Sequence, residues 1–382
     1  MKIGIPKETG DGETRVAVIP SMISVLTKNG NEVLVESGAG DRASFTDDQY
    51  REAGAEIVED LERLYGQAAV VLKVLPPQIN ERMGAHEADL LRESSIFIGF
   101  MSPLTHPETV LKFASRKITG FSMEFIPRIT RAQGMDALSS MATVAGYKAV
   151  LIAANQLGKF FPLLMTAAGT ITPARVLVLG AGVAGLQAIA TAKRLGARVE
   201  AFDPRPAVRE QVESLGAGFM EMEVPKDMET SGGYAREQSD EFLKREQETI
   251  GARLGKVDAV ITTAQVFGKK APILITGEMA GKMRPGSVIV DLASEQGGNC
   301  ALTEAGKTVT RHGVDIIGAV NLPSLVPFHS SQMYSRNITN LFKHLFPAKE
   351  SVLDFNDEIT RSACITHNGE IVNEMARKGR LP

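Results

Sequence analysis

Residues 180–185 read GAGVAG and residues 127–136 read PRITRAQGMD. The first run places Gly180, Gly182 and Gly185 in G-x-G-x-x-G spacing, which suits one kind of chemistry. Gly180 permits a tight turn after a strand, Gly182 lets the backbone approach a pyrophosphate, and Gly185 lets the next helix pack close to the strand. The start of that helix offers free N–H groups and a positive dipole end to phosphate. The triplet alone is a weak signal, since a glycine-rich strand–helix turn needs no ligand. Here it follows the apolar VLVL, opens an Ala-rich stretch, and precedes VEAFD. Asp203 then falls 18 residues after Gly185, where an acid meets the adenosine ribose 2′-hydroxyl. A carboxylate there disfavours a 2′-phosphate and so favours NAD over NADP. Arg205 weakens that preference; it either pairs with the adenosine phosphates or lies in solvent.

The second run holds Arg128, Gln133 and Asp136 without a histidine, a metal-ligand spacing or a serine nucleophile. Oxidation of an alcohol or amino acid moves a proton as well as a hydride, and so needs a general acid/base. Arg15 and Lys73 are cations suited to an anionic substrate. The histidines, at 86, 106, 312, 329, 344 and 367, read as surface or packing residues, since none follows a clear strand. The cysteines, Cys300 and Cys364, make no zinc framework and fit free thiols in a reducing compartment.

The elements that position these residues follow from the pattern. With 382 residues, 43% of them hydrophobic, the chain can build two cores. A net charge of −3 gives no footprint for nucleic acid. The N-terminus lacks an apolar leader, and no window reaches about 18 uninterrupted apolar residues, so a soluble polypeptide is expected. MKIGIP, NEVLVESGAG, AAVVLKV, SSIFIGFM and KITGFSM read as strands, with helices between, the one after Thr46 among them. A long helix is expected from about Asp136 to Phe161. A second series follows in ARVLVLG, VEAFD, DAVITTA, SVIVDLA and VDIIGAV. The fold class is α/β: two Rossmann-like doubly wound parallel-sheet domains joined by a long helix. The expected boundaries are 1–137 with 326–382, the tail returning through a helix near SSQMYSRNITNLFKHLF, and 138–325. The polar stretch around SGGYAREQ is either a solvated loop leading into a helix or a mobile lid.

Across essentially its whole length the chain resembles the NAD(H)-binding component, domain I of the alpha subunit, of proton-translocating nicotinamide nucleotide transhydrogenase, a family related to alanine dehydrogenase. The residues carrying the resemblance are IGIPKE with ETRVAV, VESGAG, PRITRAQGMDALSS, the glycine-rich turn and its flanks, GGYA, GSVIVDLASEQGGNC and VNLPS. Arg15 and Lys73 match substrate-binding positions of alanine dehydrogenase. The catalytic histidine of that relative has no counterpart near Phe100–Met101, and its aspartate before QGG is Glu295 here.

The resemblance implies a hydride passed directly from NADH on this chain to NADP⁺ on a partner, so that no acid/base is needed. NADP(H) would lie on the membrane beta subunit. The chain would be a homodimer, cytoplasmic, and peripheral on the inner membrane through membrane-spanning partner subunits. Arg128, Ile129, Gln133, Asp136 and Ser139 would meet the nicotinamide end, with Gln133, Arg128 and Asp136 the catalytic set. Gly180, Gly182, Val183, Ala184, Asp203, Pro204 and Arg205 would serve the pyrophosphate and adenosine. Tyr234 would belong to the mobile loop, where Gln238 replaces a methionine of some relatives, and Ala264 and Val266 would contact ribose or adenosine. No metal is expected. Two other readings are an alanine-type amino-acid dehydrogenase and a non-catalytic nucleotide-binding module.

Overall fold

The structure, a computed structural model, describes residues 1–222, 240–266, 268–348 and 352–378. The chain forms two compact units: Met1–Met141 with Pro323–Pro382, and Ala142–Leu322. In chain order the strands are β1 (Lys2–Ile5), β2 (Glu32–Glu36), β3 (Glu56–Val58), β4 (Val70–Leu72), the small pair β5 (Ile79–Asn80) and β6 (Ala85–His86), β7 (Ile96–Gly99), β8 (Thr119–Ser122), β9 (Leu164–Thr166), β10 (Gly169–Ile171), β11 (Arg175–Leu179), β12 (Arg198–Phe202), β13 (Gly218–Phe219), β14 (Ala259–Thr262), β15 (Val288–Asp291), β16 (Thr308–Arg311), β17 (Val314–Gly318), β18 (Cys364–His367) and β19 (Glu370–Ile371).

The first unit carries the sheet β19-β18-β8-β7-β4-β1-β2-β3. From β8 to β3 every pair is parallel. These strands read as apolar runs because helices cover both faces, leaving no solvent side for polar residues. The returning tail adds β18 antiparallel to β8, and β19 antiparallel to β18. The helix Pro327–Leu345 packs Tyr334, Ile338 and Leu341 into the same core as Ile3, Ile5 and Val35. Thr46 caps the helix Asp47–Glu52 in a reciprocal box with Gln49.

The second unit carries β13-β12-β11-β14-β15-β17-β16, parallel except for the edge strand β16. From β11 the chain winds one way to β12 and β13, and the other way through β14, β15 and β17. The carboxyl ends of β11 and β14 therefore flank the switch point where open α/β sheets bind ligands. The hairpin β9–β10, absent from the sequence reading, stands ahead of β11.

The long helix spans Ala137–Gln156, five residues short of the expected Phe161. Gly158 follows, whose backbone freedom makes further helix costly, and Lys159 is held by Asp258 at 2.9 Å. Among the described residues this helix alone is long and apolar enough to cross a membrane, yet Ala149, Val150 and Ala153 lie in the core of the second unit. A Cβ added at Gly146 would fall 2.1 Å from the Ala184 carbonyl oxygen, so backbone meets backbone there. Gly146→Ala is expected to cost about 1–3 kcal/mol by overpacking, read from urea denaturation. A change below about 0.5 kcal/mol would show that the contact yields freely.

Candidate dinucleotide site and polar turn

In the second unit, β11 delivers the chain into the glycine-rich turn. Gly180 has φ +94°, and a Cβ there would meet Thr263 Oγ1 at 2.6 Å. At Gly185 a Cβ would lie 1.9 Å from the Gly180 carbonyl oxygen. Both glycines are required by the protein's own packing. Gly182 differs: the nearest atom to its Cβ position is Arg205 Nη2 at 4.0 Å. Open space at that position leaves the backbone approachable. Gly182 also stands at the N-cap of the helix Val183–Arg194 without a side-chain cap. Val183 is exposed and Ala184 half-buried on the first turn. These residues fit the pyrophosphate of a dinucleotide, for which the helix start would supply N–H donors.

Asp203 follows β12 and is buried. Its Oδ1 accepts from Arg205 N and Nε, both at 2.9 Å, and its Oδ2 accepts from Ala181 N at 2.7 Å and Arg205 Nη2 at 2.8 Å. Arg205 therefore does not lie in solvent; its side chain is 12% exposed and clasps Asp203. Four donors fill a carboxylate, so a ribose hydroxyl would reach Asp203 only by displacing one of them. Beside Asp203 and Pro204 a shallow pocket is lined by Pro206, Phe219, Met220 and Met222. Its apolar walls suit a flat base. These four residues escaped the sequence reading, although Phe219 and Met220 follow directly from pairing β13 with the acid-bearing β12.

The loop after β14 carries Ala264 and Val266. Ala264 is held in both directions by Asn299: its N–H donates to Oδ1 at 3.0 Å, and its carbonyl accepts from Nδ2 at 2.8 Å. Asn299 is set by Asp291, which is fully buried at the end of β15. Asp291 accepts from Thr262 Oγ1, Ala293 N, Asn299 N, Cys300 N and Thr303 Oγ1, between 2.7 and 3.0 Å. Asp291 and Asn299 were not among the expected residues. Tyr234 and Gln238 lie outside the described residues.

In the first unit, residues Thr130–Met135 form a 3-10 turn directly ahead of the long helix. Asp136 Oδ1 accepts from Ser139 N at 2.8 Å and Oδ2 from Ser139 Oγ at 2.6 Å, so Asp136 caps that helix. A cleft with Pro127 and Thr130 on its wall brings together Arg128, Ile129, Gln133, Asp136 and Ser139, all five of the residues selected there from sequence. Arg128 and Gln133 are exposed. Arg131 anchors the turn through Asp357 at 2.6 Å.

The two cations considered for an anionic substrate are buried and paired. Arg15 donates to Glu13 through Nε at 2.7 Å and Nη2 at 2.6 Å. Lys73 Nζ lies 2.9 Å from Glu87 and 3.3 Å from Glu8. Burial would lower the Lys73 pKa, but the two carboxylates raise it; burial raises that of Glu8 against the pull of Lys73. Near Phe100, the N–H groups of Met101 and Ser102 donate to Glu124 at 3.0 and 2.7 Å. His106 pairs on the surface with Glu108 at 3.2 Å. Glu295 is exposed on the turn Ser294–Gln296. Among the described residues no cluster could hold a metal ion.

The fold and the turn after β11 define a two-unit α/β protein of the nicotinamide-dinucleotide type. The alanine dehydrogenase/PNT family matches through its N-terminal domain over residues 4–145 and its C-terminal domain over 149–374. One polypeptide of the NAD(P) transhydrogenase subunit alpha of Rhodospirillum rubrum is 49% identical over 377 residues, 98% of each chain. NAD(P) transhydrogenase subunit alpha of Haemophilus influenzae is 44% identical over 97% of this chain and 71% of its own. The crystal structure of transhydrogenase from Sinorhizobium meliloti superposes with a TM-score of 0.87 at 39% identity, covering 97% of this chain and all of that one. The chain belongs to the alanine dehydrogenase/PNT family and, within it, to the NAD(P) transhydrogenase alpha subunits.

Asp357 yields a prediction about the turn. Burial opposes its ionisation, but the Thr360 N–H, Arg131 and His344 hold its carboxyl well below the usual range. A depressed carboxylate stabilises the fold above its unfolded pKa, about 3.9, and loses that contribution as pH falls through the folded value. Asp357→Asn should lower Tm at pH 6, with the gap closing below about pH 3. A gap independent of pH would contradict the assignment.

Proposed function

We propose that this chain binds NAD(H) and serves as the hydride-donating component of a proton-translocating transhydrogenase. NADP(H) would be carried by the beta subunit. The observation that carries this reading is the cleft of Arg128, Ile129, Gln133, Asp136 and Ser139, a set built to position rather than to exchange protons. Both Asp136 oxygens are engaged by Ser139, so Asp136 holds the turn. Gln133 reaches outward from it as a neutral donor and acceptor suited to ribose hydroxyls. The nicotinamide cofactors supply the hydride and its acceptor. No substrate proton changes hands between two such rings, and what remains for the protein is orientation and exclusion of water. The turn after β11 takes the pyrophosphate, and the pocket beside Asp203 takes the adenine.

The buried pairs Arg15–Glu13 and Lys73–Glu87 weigh against an amino-acid dehydrogenase. Isolated protein given NAD⁺ and alanine should form no NADH; steady alanine-dependent reduction would overturn the reading. With the NADP(H)-binding partner present, Gln133→Asn should slow transfer about tenfold or more, equal to ~1.4 kcal/mol of barrier, while NADH affinity stays within about twofold. Lost affinity with an unchanged rate would contradict a positioning role.

The same reading makes the chain a homodimer held at the cytoplasmic face of the inner membrane by membrane-spanning subunits. Support comes from the hairpin β9–β10 and its approach, where Phe160 is 56%, Leu163 51% and Met165 81% exposed. Apolar side chains grouped on a projecting ribbon favour burial against another protein surface. Met165→Asp should shift the mass measured by light scattering toward the monomer. An unchanged mass would exclude the hairpin from the interface.

A further inference from the structure

The polar turn that carries Gln133 is held from below by the helix Pro327–Leu345. Asn337 and Asn340 lie one turn apart on that helix. Each donates its Nδ2 to the Gly134 carbonyl at 3.0 Å. Two amides thus fill both lone pairs of one backbone oxygen, in the residue next to Gln133. On the other side of Gln133, Arg131 is tied to Asp357, which accepts from His344 at 2.8 Å, a residue of the same helix. Asp357 is itself fixed by the Ile359 and Thr360 N–H groups at 2.9 and 3.0 Å.

The clamp has features that stability alone does not require. Asn337 is 6% exposed, and its Oδ1 is buried without a hydrogen-bond partner. Its amide is turned so that Nδ2 meets Gly134, at the expense of its own oxygen. A leucine or methionine would fill such a helix position without leaving a buried acceptor unpaired. Position 134 also has to be glycine for the clamp to close, since a Cβ there would approach Asn340 Nδ2 to 3.0 Å.

We propose that Asn337 and Asn340 are positioning residues for hydride transfer, acting through the Gly134 carbonyl to fix the direction in which Gln133 projects. The proposal rests on the function given above. Because the two amides touch neither Gln133 nor the rest of the cleft wall, their loss leaves the cofactor-facing groups chemically intact and changes only how firmly they are held. The reaction is sensitive to that, since a small misplacement of reacting rings costs orders of magnitude in rate.

The test uses the full chain mixed with the NADP(H)-binding domain, with single-turnover transfer, NADH affinity and hydrogen exchange measured in parallel. Asn340→Asp puts a carboxylate against the Gly134 carbonyl, whereas Asn340→Gln keeps a donor one methylene longer. Expected are a transfer rate about tenfold lower in Asn340→Asp, NADH affinity within about twofold, faster amide exchange in residues 130–135, and recovery of most of the rate in Asn340→Gln. Asn337→Asp is a second arm; should it fail to fold, the Asn340 pair decides alone. Wild-type rates in Asn340→Asp, or equal losses in Asn340→Asp and Asn340→Gln, would overturn the clamp. A wild-type chain that transfers no hydride would instead overturn the proposed function, and the exchange data would still report whether the two amides hold the turn.

Discussion

At the mouth of β11 three stretches of backbone meet where no Cβ fits. Gly185 packs on the Gly180 carbonyl, Gly180 on Thr263, and Gly146 on the Ala184 carbonyl. The remainder of the second unit depends on this approach. It aims the helix Val183–Arg194 at the switch point and leaves Gly182, the one glycine of the triplet with open space before it, facing outward. Relief of the constraint at any of the three contacts would tilt that helix, and the phosphate-binding geometry would go with it.

Around this point carboxylates act as architecture. Asp203 binds the turn to Arg205, Asp291 gathers five donors under the loop after β14, and Asp136 caps the long helix. Each is saturated by donors of the chain itself. Buried acids so satisfied are fixed in place and charged, which makes them good orienters and poor proton carriers. Arg15 and Lys73 follow the same rule from the cationic side. A chain whose charges are spent on internal order suits a reaction in which one ring passes hydride to another and no substrate proton has to be moved.

The sequence made the two parallel sheets legible because strands covered on both faces must be apolar throughout, as in VVL of β4 and VIVD of β15. The glycine-rich turn was legible for the same reason that it exists: only glycine tolerates the contacts. The gathering of Arg128, Ile129, Gln133, Asp136 and Ser139 around one cleft was legible because all five lie within twelve residues. Other features were not. The strands of the hairpin β9–β10 have three residues each, too few to show a period. The partner of Arg205 depended on its rotamer, and either solvent or phosphate fitted the spacing equally well. Asn337, Asn340, Asp291 and Asn299 act across gaps of 26 to 206 residues to hold backbone groups in loops, and nothing in their local pattern marks that task. Polar residues that hold other residues are visible only once the fold brings the two together.

The central claim is that hydride passes between nicotinamides without solvent taking part. NADH carrying deuterium at the transferred position, mixed with this chain, the NADP(H)-binding partner and NADP⁺, tests it most directly. The account predicts NADPH carrying the label in full, with no hydrogen drawn from water. NADPH holding solvent-derived hydrogen at that position, or label lost to water, would contradict it.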